Sequence, residues 1–247
     1  MVCNLIIIDS TPSTNTLMAR EFTDAAHGTV LMATAQTAGR GQRGNSWESE
    51  PGKNVSMSVM LRPHNIAAAQ QFCISEAVAL AVAQTLDSRL APANTATIKW
   101  PNDIYVGDRK IAGILIENSL SGTHIDRCIA GIGININQQH FLSDAPNPTS
   151  LIHYTDEATD TAAFAKEVAD RILAFMDELE QDNTSLHEQY MSKLWRRQGL
   201  YPYRDAASGE IFQASIDDIA PSGHISLLDS GGRRRIYAFK EVAALIS

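Results

Sequence analysis

The chain is poor in cysteine and arranges it neither for metal nor for a disulfide scaffold. Its three cysteines, Cys3, Cys73 and Cys128, lie far apart without a CxxC pair, so buried, reduced thiols in a cytoplasmic protein are expected. The seven histidines show no HxxxH or HxxE spacing, which leaves no protein-built metal site to read. Positive charge is also scarce. A net charge of −8 argues against general nucleic-acid or anionic-membrane binding, which needs clustered Lys and Arg. The only basic run, Arg233-Arg234-Arg235, reads as an exposed strand edge. A targeting segment is missing too: Leu5-Ile6-Ile7-Ile8 follows no basic region, stops at Asp9 and is too short for a signal core or a membrane span. Internal repeats and low-complexity tracts are absent.

What is present is ordinary in bulk and specific in detail. The 247 residues are 44% apolar and 19% charged, as in globular proteins, and a chain of this size buries about three quarters of its unfolded surface. A first strand is expected over about 4–9, then a helix over about 14–23 that Ser13 or its neighbours could cap. Residues 29–36 read as a second strand. Val55-Ser56-Met57-Ser58-Val59-Met60-Leu61 alternates with the period of a strand buried on one face. A core helix fits 67–88, strand pieces flank Pro101-Asn102-Asp103, and long apolar strands fit Lys110–Glu117 and 124–136. Two helices follow, over about 160–180 and 183–195. After a composition shift at Gly199-Leu200-Tyr201-Pro202, short strand patterns broken by turns predict a small all-β module, a barrel.

Gln36-Thr37-Ala38-Gly39-Arg40-Gly41-Gln42-Arg43-Gly44-Asn45-Ser46-Trp47 joins two apolar runs. Glycine lets backbone N–H groups lie bare against a ligand, and interleaved arginines supply forked donors for carboxylate or phosphate. The same stretch could equally be a ligand-free surface loop, and Ser13 only a helix cap. Lys99, Lys110, Arg40 and Arg43 nevertheless all fall in or beside loops at strand ends. One chemistry needs such a set: attack of a carboxylate on the α-phosphate of ATP. Two anions about 4 Å apart repel by roughly 4 kcal/mol at an effective dielectric of 20, so cations must offset that and meet the charge that grows in the transition state. Asp103 could contribute through Mg²⁺.

At this point the residues resemble a family. Gly39 to Trp47, Lys99-Trp100-Pro101-Asn102-Asp103, Arg109 to Glu117 and Gly131-Ile132-Gly133-Ile134-Asn135-Ile136-Asn137 are similar, in order and spacing, to the motifs of the biotin–protein ligases. Ser13-Thr14-Asn15, Gln36 and the β-rich tail extend the likeness over nearly the whole chain. It implies an α+β protein: a central mixed β-sheet flanked by helices, the class II synthetase-like catalytic fold of biotin and lipoate ligases, over residues 1–198. A small SH3-like β-barrel over 199–247 would follow. It implies activation of biotin by ATP and Mg²⁺ to biotinyl-5′-AMP, then transfer to a lysine of a biotin carboxyl carrier domain.

The resemblance also distributes roles. Lys110, Lys99, Arg40 and Arg43 would be catalytic. Ser13, Thr14, Asn15, Gln36, Gly39, Arg40, Gly41, Trp47, Gly113 and Ile114 would bind biotin. Arg40, Arg43, Lys99, Asn102, Asp103, Lys110, Asn135 and Asn137 would bind ATP or the adenylate, with Asp103 near Mg²⁺. Many relatives carry arginine where this chain has Gln42, so Arg40 or Arg43 must supply that charge. The chain starts directly at its first strand, so a ligase without an N-terminal DNA-binding domain is expected, in the cytoplasm; related ligases often form a homodimer through an exposed sheet edge. Competing readings are a lipoate or octanoate ligase or transferase, and a non-catalytic biotin sensor.

Overall fold

A computed structural model describes residues 3–142, 147–181 and 184–246, the side chain of Arg43 excepted. In chain order the first elements are β1 (Asn4–Thr11), α1 (Thr14–Glu21), β2 (Thr29–Gln36), β3 (Val55–Leu61) and α2 (Phe72–Asp87). Four strands follow: β4 (Ala96–Lys99), β5 (Asp103–Val106), β6 (Arg109–Ser121) and β7 (His124–Ile134). Then come α3 (Thr161–Leu179), α4 (Thr184–Ser192), and β8 (Tyr201–Asp205), β9 (Ile211–Ile219), β10 (Ile225–Asp229), β11 (Arg234–Tyr237) and β12 (Val242–Ala244). The expected mixed sheet is there. Its order is β1-β2-β3-β7-β6-β5-β4, with β1 and β2 parallel and the remaining neighbours antiparallel.

The period of two along each strand gives this sheet two different faces. Val30 and Met32, Val59 and Leu61, and Ala130 and Ile132 point to the main core with α2 and α3. Their sequence neighbours Leu31, Met60 and Ile129 point the other way and form a small cluster with Met18 of α1. The main core is dense in Ala, Val and Leu because α2 is buried nearly all round, from Phe72 to Leu86. Each fully buried Leu or Val there contributes about 1.5–3 kcal/mol of transfer free energy. α2 starts later than the apolar pattern suggested, after a 3-10 turn at Ala68–Gln70. α3 is capped by Asp160, whose carboxylate accepts from the Ala162 and Ala163 N–H groups.

α4 ends at Ser192, short of the expected 195. There the chain leaves the helix to pair with β4: the Ile98 N–H donates to the Lys193 carbonyl and the Trp195 N–H to the Ile98 carbonyl, both at 2.8 Å. No helix among the described residues is long and apolar enough to cross a membrane.

The C-terminal strands form a second, antiparallel sheet in the order β11-β10-β9-β8-β12. Among the described residues no pairing joins β11 to β12, so the observed unit is a five-stranded sheet without a closed ring of hydrogen bonds. Its inner side chains, among them Tyr203, Phe212, Ile216, Ile225 and Leu227, belong to the same apolar cluster as α2. The basic run lies, as expected, at a sheet edge: β11 is the outermost strand and Arg233 and Arg234 are exposed. Arg235 lies over the Phe212 ring at 4.2 Å and pairs with Glu210 and Asp229, and Arg234 pairs with Asp217. Arg235 is thus held within the sheet, while Arg233 and Arg234 face solvent.

Candidate active site

The α1 side of the first sheet carries the site. On β7 the residues that alternate with the core are Gly131 and Gly133, and on β6 they are Gly113, Leu115 and Glu117. On β3 they are Ser56 and Ser58, opposite Gly133 and Gly131. Gly113 and Gly133 are cross-strand partners. The result is a strip of bare backbone across β6 and β7, bordered by the small serines of β3. A Cβ on Gly131 would lie 2.8 Å from the Asn15 side-chain carbon, and one on Gly133 would lie 2.5 Å from the Trp47 indole nitrogen. Glycine is required there by close approach.

At one end of the strip sits a polar wall. Ser13 occupies the N-cap position of α1 but makes no side-chain cap bond, so its hydroxyl is free for the cavity it lines. The Thr14 N–H donates to Gln36 Oε1 at 2.8 Å, and Ser58 Oγ donates to Asn15 Oδ1 at 2.5 Å. The amide of Asn15 donates to Glu117 Oε2 at 2.7 Å. These buried groups fix one another, which makes the wall rigid.

The Gly/Arg loop folds back across the strip. Its ends are tied by the Trp47 N–H to the Gly39 carbonyl at 2.9 Å and the Gly41 N–H to the Asn45 carbonyl at 2.7 Å. Trp47 therefore lies over Gly113 and Gly133, with its indole N–H buried and without an acceptor. Arg40 is drawn to the wall, donating to Glu117 Oε1 at 2.9 Å and to Thr16 Oγ1 at 3.1 Å. The Arg43 side chain lies outside the described residues.

The other end is cationic. A register shift between β5 and β6 pairs Ile104 with Ala112 but Tyr105 with Lys110. This bulge re-aims Lys110, which would otherwise point with the core residues. Its ammonium pairs with Asp103 Oδ1 at 2.6 Å and lies 5.6 Å from the Trp47 ring. Asp103 is also the register partner of Lys99. Burial holds Lys99 below the ordinary lysine value against the opposing pull of Asp103. Asn102 braces the turn: its side-chain amide donates to the Ile114 carbonyl at 2.7 Å.

Between the two ends is a cavity of about 1120 Å³. It is lined by the polar wall, Arg40, Gly41, Trp47, Lys99, Asn102, Asp103, Lys110, Gly113 and Ile114, as the sequence reading grouped them. Gln42 lines it as well, and Phe239 and Lys240 of the C-terminal segment form part of its edge. Three expected residues are not on its wall. Gly39 lies beneath the Trp47 carbonyl. Asn135 donates to the Thr149 carbonyl at 2.9 Å, and Asn137 exchanges hydrogen bonds with Thr159.

Sequence reasoning missed Ser58 and Glu117, which brace Asn15, and Tyr105 and Trp195, which flank Lys99. Glu117 had a visible signal, an acid on the glycine-bearing face of an apolar strand. Trp195 had none, because its neighbours come from far along the chain. Among the described residues no cluster of three or more His, Cys, Asp or Glu could hold a metal unaided.

The sequence model of the biotin/lipoate A/B protein ligase family matches residues 7–135. The bifunctional ligase/repressor BirA of Bacillus spizizenii is 35% identical over 167 residues, 66% of this chain and 49% of that protein. The chain thus spans about half the length of this relative. The biotin–[acetyl-CoA-carboxylase] ligase of Mycobacterium tuberculosis is 29% identical over 245 residues, 98% of this chain and 89% of that protein. Among solved structures, the biotin protein ligase from Aquifex aeolicus in complex with biotin and ATP has a TM-score of 0.80 over 99% of each chain. At 23% identity it shares the fold.

Proposed function

The chain belongs to the biotin/lipoate A/B protein ligase family, and from that premise we propose that it is an ATP-dependent biotin–protein ligase. Biotin and ATP give biotinyl-5′-AMP and pyrophosphate. A lysine amine of a biotin carboxyl carrier domain then attacks the acyl carbon, forming the amide and expelling AMP. The observation that carries this reading is one cavity with two chemically opposite ends, a neutral polar wall and a pair of lysines, joined by a floor rich in glycine.

Each end suits one part of the reaction. Ser13, Thr14 and Gln36 present small polar groups to the ureido ring of biotin, while Trp47 covers its apolar ring. Lys110 meets the carboxylate at the reacting phosphate, releasing Asp103 as it does so, and Lys99 meets the triphosphate. Both offset the repulsion between two anions that must touch. Mg²⁺ would accompany ATP. It takes one or two carboxylates plus substrate phosphates, and Asp103, with Asn102 nearby, fits that donor set. It would neutralise charge on the phosphates. The 39–47 loop closes over the acyl-adenylate and keeps water from it. We assign residues 1–198 to this catalysis and 199–247 to a second unit that borders the nucleotide end.

The test is carboxylate-dependent ATP–pyrophosphate exchange with biotin, lipoate and octanoate side by side. Exchange with biotin alone supports the proposal. Exchange with lipoate or octanoate moves the chain to the other branch of its family. Biotin binding without exchange makes it a sensor.

A further inference from the structure

Lys99 and Lys110 are held in contrasting ways. Lys110 rests on a carboxylate. Lys99 rests on rings: its ammonium lies 5.1 Å from the centroid of Tyr105 and 5.8 Å from that of Trp195. The charged or titratable groups facing it are Asp103, Lys110, Arg196 and the Tyr105 phenol. Asp103 is already engaged by Lys110.

Trp195 is fixed from several directions. Its backbone is hydrogen-bonded to Ile98 of β4, next to Lys99. Its indole Nε1 donates to Asp108 Oδ1 at 2.9 Å. Arg196 covers the ring at 4.0 Å, reaches Asp108 at 3.6 Å and donates to the Leu245 carbonyl at 2.8 Å. Arg196 also sits at φ 55°, a left-handed conformation that a residue with a side chain keeps only where its surroundings impose it. The indole is thus held between two cations, and only one of them, Lys99, lines the cavity.

We propose that Trp195 is a positioning residue for the adenylation step: with Tyr105 it presents the Lys99 ammonium to the triphosphate of ATP with its three N–H donors unspent. The inference rests on the ligase reading above. A lysine is a flexible stem that needs an anchor when its ammonium leaves water. A carboxylate anchor would cancel its charge and have to be displaced by the incoming phosphate. A ring face attracts the ammonium through the quadrupole and takes no hydrogen-bond donor.

Site-specific incorporation of a fluorinated tryptophan series at position 195 drains the ring face with little change in volume. ATP–pyrophosphate exchange is then measured at saturating biotin. The KM for ATP is expected to rise by about threefold to tenfold along the series, with kcat and the biotin dissociation constant unchanged. The alkaline limb of kcat/KM for ATP should move to lower pH, because the ammonium loses a stabilising partner. Trp195→Phe should keep more ATP affinity than Trp195→Leu. A KM for ATP that is flat or falling along the series overturns the proposal, as does biotin affinity that falls in parallel. If the unmodified chain gives no exchange with any of the three acids, the ligase reading itself fails and takes this one with it. That outcome is seen before any variant is made.

Discussion

Replacing Gly131 by Ala tests the architecture of the site with a single methyl group. Its backbone is not left-handed, so contact alone sets the cost. The new Cβ would stand 2.8 Å from Asn15 Cγ and Nδ2 and closer still to Oδ1, and the amide must retreat by roughly 1 Å to reach ordinary contact. Asn15 has nowhere to go: it is 3% exposed and bonded to Ser58, Leu115 and Glu117. Losing the charged bond to Glu117 and straining the rest costs about 3–5 kcal/mol. For a chain of this length that lowers Tm by about 10 °C. Thermal and urea unfolding would measure it, and isothermal titration should show weaker biotin binding as the polar wall shifts. In an Asn15→Ala background the same change should cost less than about 1 kcal/mol, a large coupling in a double-mutant cycle. Gly107→Ala is the control, because it has open space but φ 59°, and should cost only about 1–2 kcal/mol. A Gly131→Ala protein as stable as wild type, or one equally destabilised with and without Asn15, refutes the reasoning.

Lys110→Ala should lower kcat for exchange by about 10²–10³-fold with Tm nearly unchanged, since its pair with Asp103 is partly solvated; pre-steady-state adenylate formation would show it. Glu117→Ala releases both Asn15 and Arg40, so limited proteolysis of the 39–47 loop in the absence of ligand should speed up, and biotin plus ATP should restore protection. His187 lies between buried Glu76, at 2.8 Å, and Asp218 of β9, at 3.3 Å. Burial pulls its pKa down, but the hydrogen bonds and charges of the two acids outweigh that and leave it above the ordinary histidine value. A raised histidine pKa stabilises the fold below the unfolded value near 6.5. That stability is lost as pH rises through the folded value. The Tm gap between wild type and His187→Gln should therefore be widest at pH 6 and narrow by pH 9; a constant gap counts against the ion-paired role.

Much of the fold was legible because alternation and glycine are local signals. The alternation at Val55–Leu61 placed β3 as a strand, although the structure buries both of its faces because α1 and the polar wall cover the serine side, and the motif order brought Lys99, Asp103 and Lys110 together before any coordinate did. Three things were not legible, each for a non-local reason. The helix end at Ser192 is set by pairing of the next residues with β4, which no helical pattern contains. Asn135 and Asn137 sit in a motif suggestive of ligand contact, yet Asn137 is used by Thr159, twenty-two residues on, and Asn135 gives its amide N–H to the Thr149 carbonyl, fourteen residues on, keeping Oδ1 buried without a partner. The tail's turns indicate short strands, but turn spacing alone does not say whether the first and last strands meet.

The floor made by Gly113, Gly131 and Gly133 has a consequence for selectivity. A pocket lined by side chains can reshape itself, because rotamers change and a longer ligand finds a crease. This floor has no rotamers. Its depth is set by peptide planes held at the fixed spacing of a hydrogen-bonded ladder, about 4.8 Å between strands. Remodelling the mouth of the cavity through Trp47 or the loop could alter how fast a ligand enters. It could also change how far Trp47 stands above the glycines, but it cannot lower the floor itself. Lowering the floor would mean separating β6 from β7, and with them the sheet on which both ends of the cavity are built.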